Sequence, residues 1–196
     1  MKKYFLLCTS YFVHCTFYFV LSTLYLVLCT LSGCKKSDPV ANPTNASNTF
    51  ASGYAVFYGS YYDYLGITEN VVTLSLLSPN LSIDTAGYYV GTGTNLILTD
   101  IFINPSDTFL PQGHYTVNDN GTAMTFLPGK SYDGNVIGAY MLIITDTGYS
   151  TEILPEGDFD LTTKGDSVFI DFNFKRTNNK TYTPSFKGVL PMYDGR

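Results

Sequence analysis

The stretch VFIDFNFK, residues 168–175, places an apolar side chain at every second position. The apolar set is Val168, Ile170, Phe172 and Phe174, and the polar set is Asp171, Asn173 and Lys175. A period of two predicts a β-strand with one buried face and one face in water. Phe159 and Leu161 alternate in the same way with Asp158, Asp160 and Thr162.

Other segments extend this pattern over most of the chain after residue 50. Asn95 to Ile103 and Val136 to Thr145 are largely apolar at both parities, as central strands are. Turn pairs punctuate the strands at Asn120-Gly121, Asp133-Gly134 and Thr147-Gly148. We therefore predict an all-β domain, an antiparallel β-sandwich of meander or Greek-key type, with a closed β-barrel as the alternative.

Two segments of the chain repeat a short pattern at an offset of 44 residues. FLPQGHYTV, residues 109–117, aligns with ILPEGDFDL, residues 153–161. Proline at the second turn position and glycine at the fourth, followed by an alternating run, indicate a turn that begins a strand. We interpret the repeat as structural punctuation.

The first 33 residues have the composition of an export signal. Lys2 and Lys3 precede an apolar run that contains no formal charge, and small residues end it. This run predicts a cleaved secretory signal peptide, although its length would also span a bilayer as an uncleaved helix. Residues 34–49 are rich in Pro, Asn, Ser and Thr and predict a flexible linker, which leaves 50–196 as the folded domain.

Leu31-Ser32-Gly33-Cys34 stands at the end of the apolar run and resembles the lipobox of bacterial lipoproteins. The resemblance implies that the leader is cut before Cys34 and that Cys34 carries lipid. The mature chain would then hold no other cysteine, because Cys8, Cys15 and Cys29 lie in the leader. More broadly, the chain resembles small outer-membrane lipoproteins of Bacteroidota-type bacteria. Lys35 after the cysteine favours the outer membrane, and the periplasmic and extracellular faces both remain open.

The charge balance excludes one class of partner. After the leader, nine basic residues face 16 acidic ones, a net charge of −7, and residues 37–129 contain no Lys or Arg. Such a surface repels phosphate backbones, so we predict no nucleic-acid binding.

Catalytic motifs are weak in the mature segment. His114 is the sole histidine after the leader, with polar strand neighbours and no nucleophile motif near it in sequence. Two carboxylates flanking one bond would suit a glycoside hydrolase, but most of the aspartates lie in turn-like sequences. We predict no catalytic residues, no metal site, no cofactor and no enzyme activity, and keep a glycoside hydrolase as the least favoured alternative.

Tyrosine is the most informative excess. Thirteen of the 17 tyrosines follow the leader, and Tyr58, Tyr61, Tyr62 and Tyr64 cluster within seven residues. Their rings combine an apolar face with a hydroxyl, which suits stacking on sugars or packing on a protein; ordinary sheet packing is the alternative. We predict a monomeric binding module for a glycan or an envelope protein, with these four residues as the site. The competing prediction is a subunit of a fimbria-like fibre that donates a strand such as Phe186 to Leu190.

Overall fold

The computed structural model describes residues 47–196, which contain β-strands and no α-helix. The strands are β1 (Thr49–Phe50), β2 (Ser52–Gly59), β3 (Asn70–Leu77), β4 (Leu81–Ile83), β5 (Tyr89–Gly91), β6 (Gly93–Ile103), β7 (Gly113–Val117), β8 (Thr125–Phe126), β9 (Lys130–Tyr132), β10 (Asn135–Ile137), β11 (Ala139–Thr145), β12 (Gly148–Ile153), β13 (Glu156–Lys164), β14 (Ser167–Lys175), β15 (Thr181–Tyr182), β16 (Ser185–Gly188) and β17 (Met192–Asp194). A short 3-10 helix, Asp63–Leu65, lies between β2 and β3.

Thirteen of these strands form one curled mixed sheet. Its order is β1-β16-β14-β13-β7-β8-β6-β3-β2-β17, with β11 joining β6 and β12, and β15 joining β14. The hairpins β4–β5 and β9–β10 form two further small sheets. Most pairs are antiparallel, but β1 with β16, β2 with β17 and β7 with β8 are parallel.

Two of the parallel pairs bring the ends of the sheet together. Only Ala51 separates β1 from β2, so residues 49–59 form one nearly continuous segment. Phe50 pairs with Phe186, and Val56 pairs with Tyr193, so this segment runs beside residues 185–194. The all-β prediction is confirmed. The pairing describes one curled sheet whose ends meet, and it does not confirm the predicted sandwich.

The inward face of the sheet holds a single hydrophobic core. It draws on strands from both ends of the strand order, from Leu74 and Leu96 to Phe172 and Phe186. Tyr115 and Phe159 stack at its centre with their ring centroids 4.4 Å apart. Large buried aromatic rings of this kind contribute much of the stability of a small domain.

The strand that contains VFIDFNFK is observed as β14, with the predicted faces. Ile170, Phe172 and Phe174 are buried, whereas Asp171, Asn173 and Lys175 are exposed. The predicted central strand at 95–103 is also present, within β6. The apolar run 136–145 is not one strand: Gly138, with a φ of 77°, separates β10 from β11.

The repeated pattern has the structural role predicted for it. β7 begins at Gly113 of the first copy and β13 at Glu156 of the second. The two strands pair with each other, with Tyr115 opposite Phe159. The repeat therefore places the two stacked rings of the core.

Candidate functional site

Residues 58–66, which we call the tyrosine loop, connect the end of β2 to the 3-10 helix. β2 ends at Gly59, and Gly66 caps the end of the helix with a left-handed φ of 81°, which suits glycine. Two backbone hydrogen bonds close the turn, from Leu65 N to Tyr62 O and from Gly66 N to Asp63 O, both at 2.9 Å. The loop is therefore held by its own backbone.

The structure brings all four predicted tyrosines into one chain of aromatic contacts. Ring centroids lie 6.1 Å apart between Tyr58 and Tyr61, and 4.9 Å apart between Tyr61 and Tyr62. Tyr62 and Tyr64 follow at 6.3 Å. The first two contacts are edge-to-face, an arrangement that aromatic quadrupoles favour.

Tyr62 fastens this chain of rings to the sheet. Its hydroxyl donates to Asp100 Oδ1 at 2.8 Å, and its ring centroid lies 6.2 Å from that of the buried Phe102. Thr99 Oγ1 donates to the other carboxylate oxygen of Asp100, also at 2.8 Å. Burial raises the pKa of the Tyr62 phenol above its usual range, and the adjacent Asp100 carboxylate raises it further. Tyr62 therefore stays protonated and serves as an anchor.

Tyr61 and Tyr64 are the members of the cluster that face solvent. Their side chains are 57% and 73% exposed, and Leu65 beside them is exposed as well. Tyr58 is half-buried and links the loop to β2. Sheet packing explains Tyr58 and Tyr62, but it does not explain two large rings left in water on an anchored loop.

The tyrosine loop and Ser47, which precedes β1, contact β6 at points far apart along the strand. The backbone N–H of Ser47 donates to Thr94 Oγ1 at 3.3 Å, near the start of β6. Tyr62 binds Asp100, six residues further along the same strand. Six strand residues cover about 20 Å at roughly 3.3 Å each. The loop and Ser47 therefore contact opposite parts of β6.

Two aromatic residues outside the predicted set, Tyr54 and Tyr193, adjoin the cluster. Tyr54 lies on β2 with the same parity as Tyr58, and its ring is 6.2 Å from that of Tyr193 on β17. The alternation in YAVFY, residues 54–58, was a usable signal for Tyr54. Nothing local signals Tyr193, because a long-range parallel pairing places it beside β2.

His114, the histidine considered as a catalytic candidate, lies on a polar surface of the domain. His114 is exposed, as predicted, and its Nδ1 lies 2.8 Å from Asp160 Oδ1 across β7 and β13. Within residues 47–196, no group of three or more His, Cys, Asp or Glu side chains is arranged to hold a metal ion. In the same range no helix is long and apolar enough to cross a membrane. The predicted signal peptide and Cys34 lie outside the described residues.

The chain matches no protein-family model, no curated protein and no solved structure.

Proposed function

We propose that this chain is a lipid-anchored protein of the bacterial outer membrane whose β domain binds a glycan through the tyrosine loop. The anchor follows from Leu31-Ser32-Gly33-Cys34 at the end of the apolar run. The observation that supports the binding role best is the exposure of Tyr61 and Tyr64 on a loop fixed by the Tyr62–Asp100 hydrogen bond. Preorganised rings lose little entropy when a ligand stacks on them.

The length of the linker agrees with display from a membrane. A linker of about 15 residues reaches on the order of 20 Å as a coil, which is enough to hold a domain clear of the lipid headgroups.

The fibre alternative has less support. The segment 186–190 begins within β16, and β16 already has β14 on one side and β1 on the other. A donated strand must leave its own sheet or have a free edge. For the hydrolase alternative, the described residues offer no feature comparable with the tyrosine loop.

The anchor is tested by metabolic labelling with palmitate. The wild-type protein should incorporate label in the membrane fraction, and Cys34→Ala should incorporate none. Equal labelling of both proteins would contradict lipidation at Cys34.

The binding role is tested with full-length protein in detergent on an array of neutral and acidic glycans. Tyr61→Ala/Tyr64→Ala should lose the signal, while Tyr132→Ala/Tyr149→Ala should keep it. The control pair removes two rings that are 71% and 77% exposed elsewhere on the domain. Equal loss in both double variants would exclude the loop as the site. Ladders of self-associated protein without glycan binding would favour the fibre.

A further inference from the structure

The outward face of β2 continues the tyrosine loop as a row of apolar side chains. Ala55 and Phe57 point inward and are buried, so Tyr54, Val56 and Tyr58 share the outward face. Tyr58 and Tyr61 are in ring contact, which joins this row to the loop. Tyr58 lies four positions after Tyr54 on the strand, a distance of about 13 Å.

The C-terminal strand widens the row. β17 runs parallel to β2, and the Tyr193 ring packs edge-on against Tyr54. Gly195 lies next to Tyr58: a Cβ atom there would be 2.8 Å from Tyr58 Cε1 and 2.7 Å from Val56 Cγ1. Because Gly195 has no side chain, the Tyr58 ring can pack against the backbone that follows β17.

The hairpin β4–β5 adds a wall to this surface. A groove of about 470 Å³ lies between the hairpin and the row, and Tyr54, Val56, Leu77, Ser82, Ile83 and Tyr193 are among its lining residues. None of the residues that line the groove is charged.

A buried polar network holds the hairpin in place. Asn95 Nδ2 donates to the Tyr89 hydroxyl at 2.7 Å, and Ser75 Oγ donates to Asn95 Oδ1 at 2.9 Å. Asn95 and Ser75 are both buried. This network ties Tyr89 of the hairpin to the buried Asn95 of β6.

We propose that Tyr193, Tyr54, Val56, Tyr58, Tyr61 and Tyr64 form one aromatic track that binds a neutral, linear polysaccharide along its length. This inference rests on the proposed function and adds the class of ligand and its direction. The track is longer than a single sugar ring, and tyrosine faces with hydroxyl rims suit successive sugar units.

Charge and strand pairing favour this ligand over the other classes. The groove part of the track has no charged lining, and Arg196, which lies beside Gly59, is paired with Asp194. The chain after the leader carries a net charge of −7, so an anionic polymer gains little from this surface. An extended peptide would seek a free strand edge, but β2 has β3 on one side and β17 on the other, and β17 itself offers an edge of only three residues in the described part of the chain. A neutral chain stacked on the ring faces needs neither a charge nor an edge.

The test measures affinity against ligand length, with full-length protein in detergent. The probes are neutral β-glucan and β-mannan oligosaccharides from disaccharide to octasaccharide, with alginate oligosaccharides of equal length as the anionic comparison. Because the chain has no tryptophan, tyrosine fluorescence is its intrinsic signal, and comparison with Tyr61→Ala/Tyr64→Ala identifies the part of the change that comes from the track. Affinity should rise with length for a neutral series and not for alginate.

Variants separate the track from the loop. Tyr193→Ala should weaken binding of the longest oligosaccharide by up to about tenfold and leave the disaccharide unchanged. Ser82→Leu, which narrows the groove without removing a ring, should have the same effect. Tyr132→Ala should bind as the wild type does.

Several results would overturn the track. If affinity is independent of length and both track variants bind normally, while Tyr61→Ala/Tyr64→Ala still abolishes binding, the track is wrong and the proposed function stands. Preference for alginate would exclude a neutral ligand. Tyrosine-dependent capture of an apolar peptide without polysaccharide binding would assign the track to a protein partner. If the wild-type protein binds none of the oligosaccharides, both proposals are wrong.

Discussion

The outward faces of β2 and β13 differ, although the inward faces of both strands enter the same core. β13 buries Phe159 and Leu161 and turns Asp160 and Thr162 to water. β2 buries Ala55 and Phe57, but its outward face carries Tyr54, Val56 and Tyr58. A sheet face in water needs only polar side chains to fold. This contrast supports our proposal that the aromatic residues outside β2 serve binding.

The largest effect should come from inward positions and be similar in both regions. Phe159→Ala on β13 should destabilise the protein by about 3–5 kcal/mol. Leu74→Ala, on β3 opposite Ala55 of β2, should destabilise it by about 2–5 kcal/mol. Both side chains are fully buried in the shared core. Urea denaturation followed by circular dichroism measures the change.

The control for this prediction lies on the outward side of β13. Thr162 is exposed, and Thr162→Ala should change stability by less than about 0.5 kcal/mol. If one core variant were as mild as the control, the two regions would not share a core.

The anchor of the tyrosine loop should give an intermediate effect. Tyr62→Phe removes the donor to Asp100 and leaves the ring in place, so it should cost about 1 kcal/mol at neutral pH. Tyr64→Phe, at an exposed hydroxyl, should cost almost nothing. Equal stability of the two variants would show that the Tyr62 hydrogen bond does not hold the loop.

Alkaline pH tests the same anchor with a defined sign. Because the pKa of Tyr62 is raised in the folded protein, the folded state keeps a proton that the unfolded chain releases above about pH 10. The free energy of unfolding should therefore fall as the pH rises above that value, and Tyr62→Phe should fall less steeply. Parallel pH curves for the two proteins would contradict the assignment.

The sequence predicted the parts of the molecule that depend on local alternation. The face pattern of β14 follows from residues 168–175, and the turn at Asp133-Gly134 joins β9 to β10 as expected. The proximity of Tyr58, Tyr61, Tyr62 and Tyr64 also follows from sequence, because all four lie within one turn of chain.

Long-range pairing could not be predicted in this way. The parallel pairing of residues 49–59 with 185–194 brings chain segments together that carry no mutual sequence signal. The same pairing places Tyr193 beside Tyr54 and leaves Gly195 next to Tyr58. The distinct roles of Tyr62 as an anchor and Tyr64 as an exposed ring depend on Asp100, 38 residues from Tyr62.

The smallest effect should appear on the polar face. Asp160 and Asp171 lie directly opposite each other on β13 and β14. Like charges in this position repel, so Asp171→Asn should stabilise the protein by about 0.2–1 kcal/mol at low salt and by less at high salt. Asp119→Asn, at an exposed aspartate outside this row, should show no such gain. A loss of stability in Asp171→Asn would mean that the Asp171 carboxylate has a favourable role.

We expect the ligand to contact the aromatic face outside β2 and not the polar face outside β13. Hydroxyl-radical footprinting of the full-length protein, with and without a saturating neutral polysaccharide, tests it at single-residue resolution. We expect protection of Tyr61, Tyr64 and Tyr193 on binding, with Tyr132 and His114 equally reactive in both states. Protection of His114 without protection of these three tyrosines would contradict binding at the aromatic face.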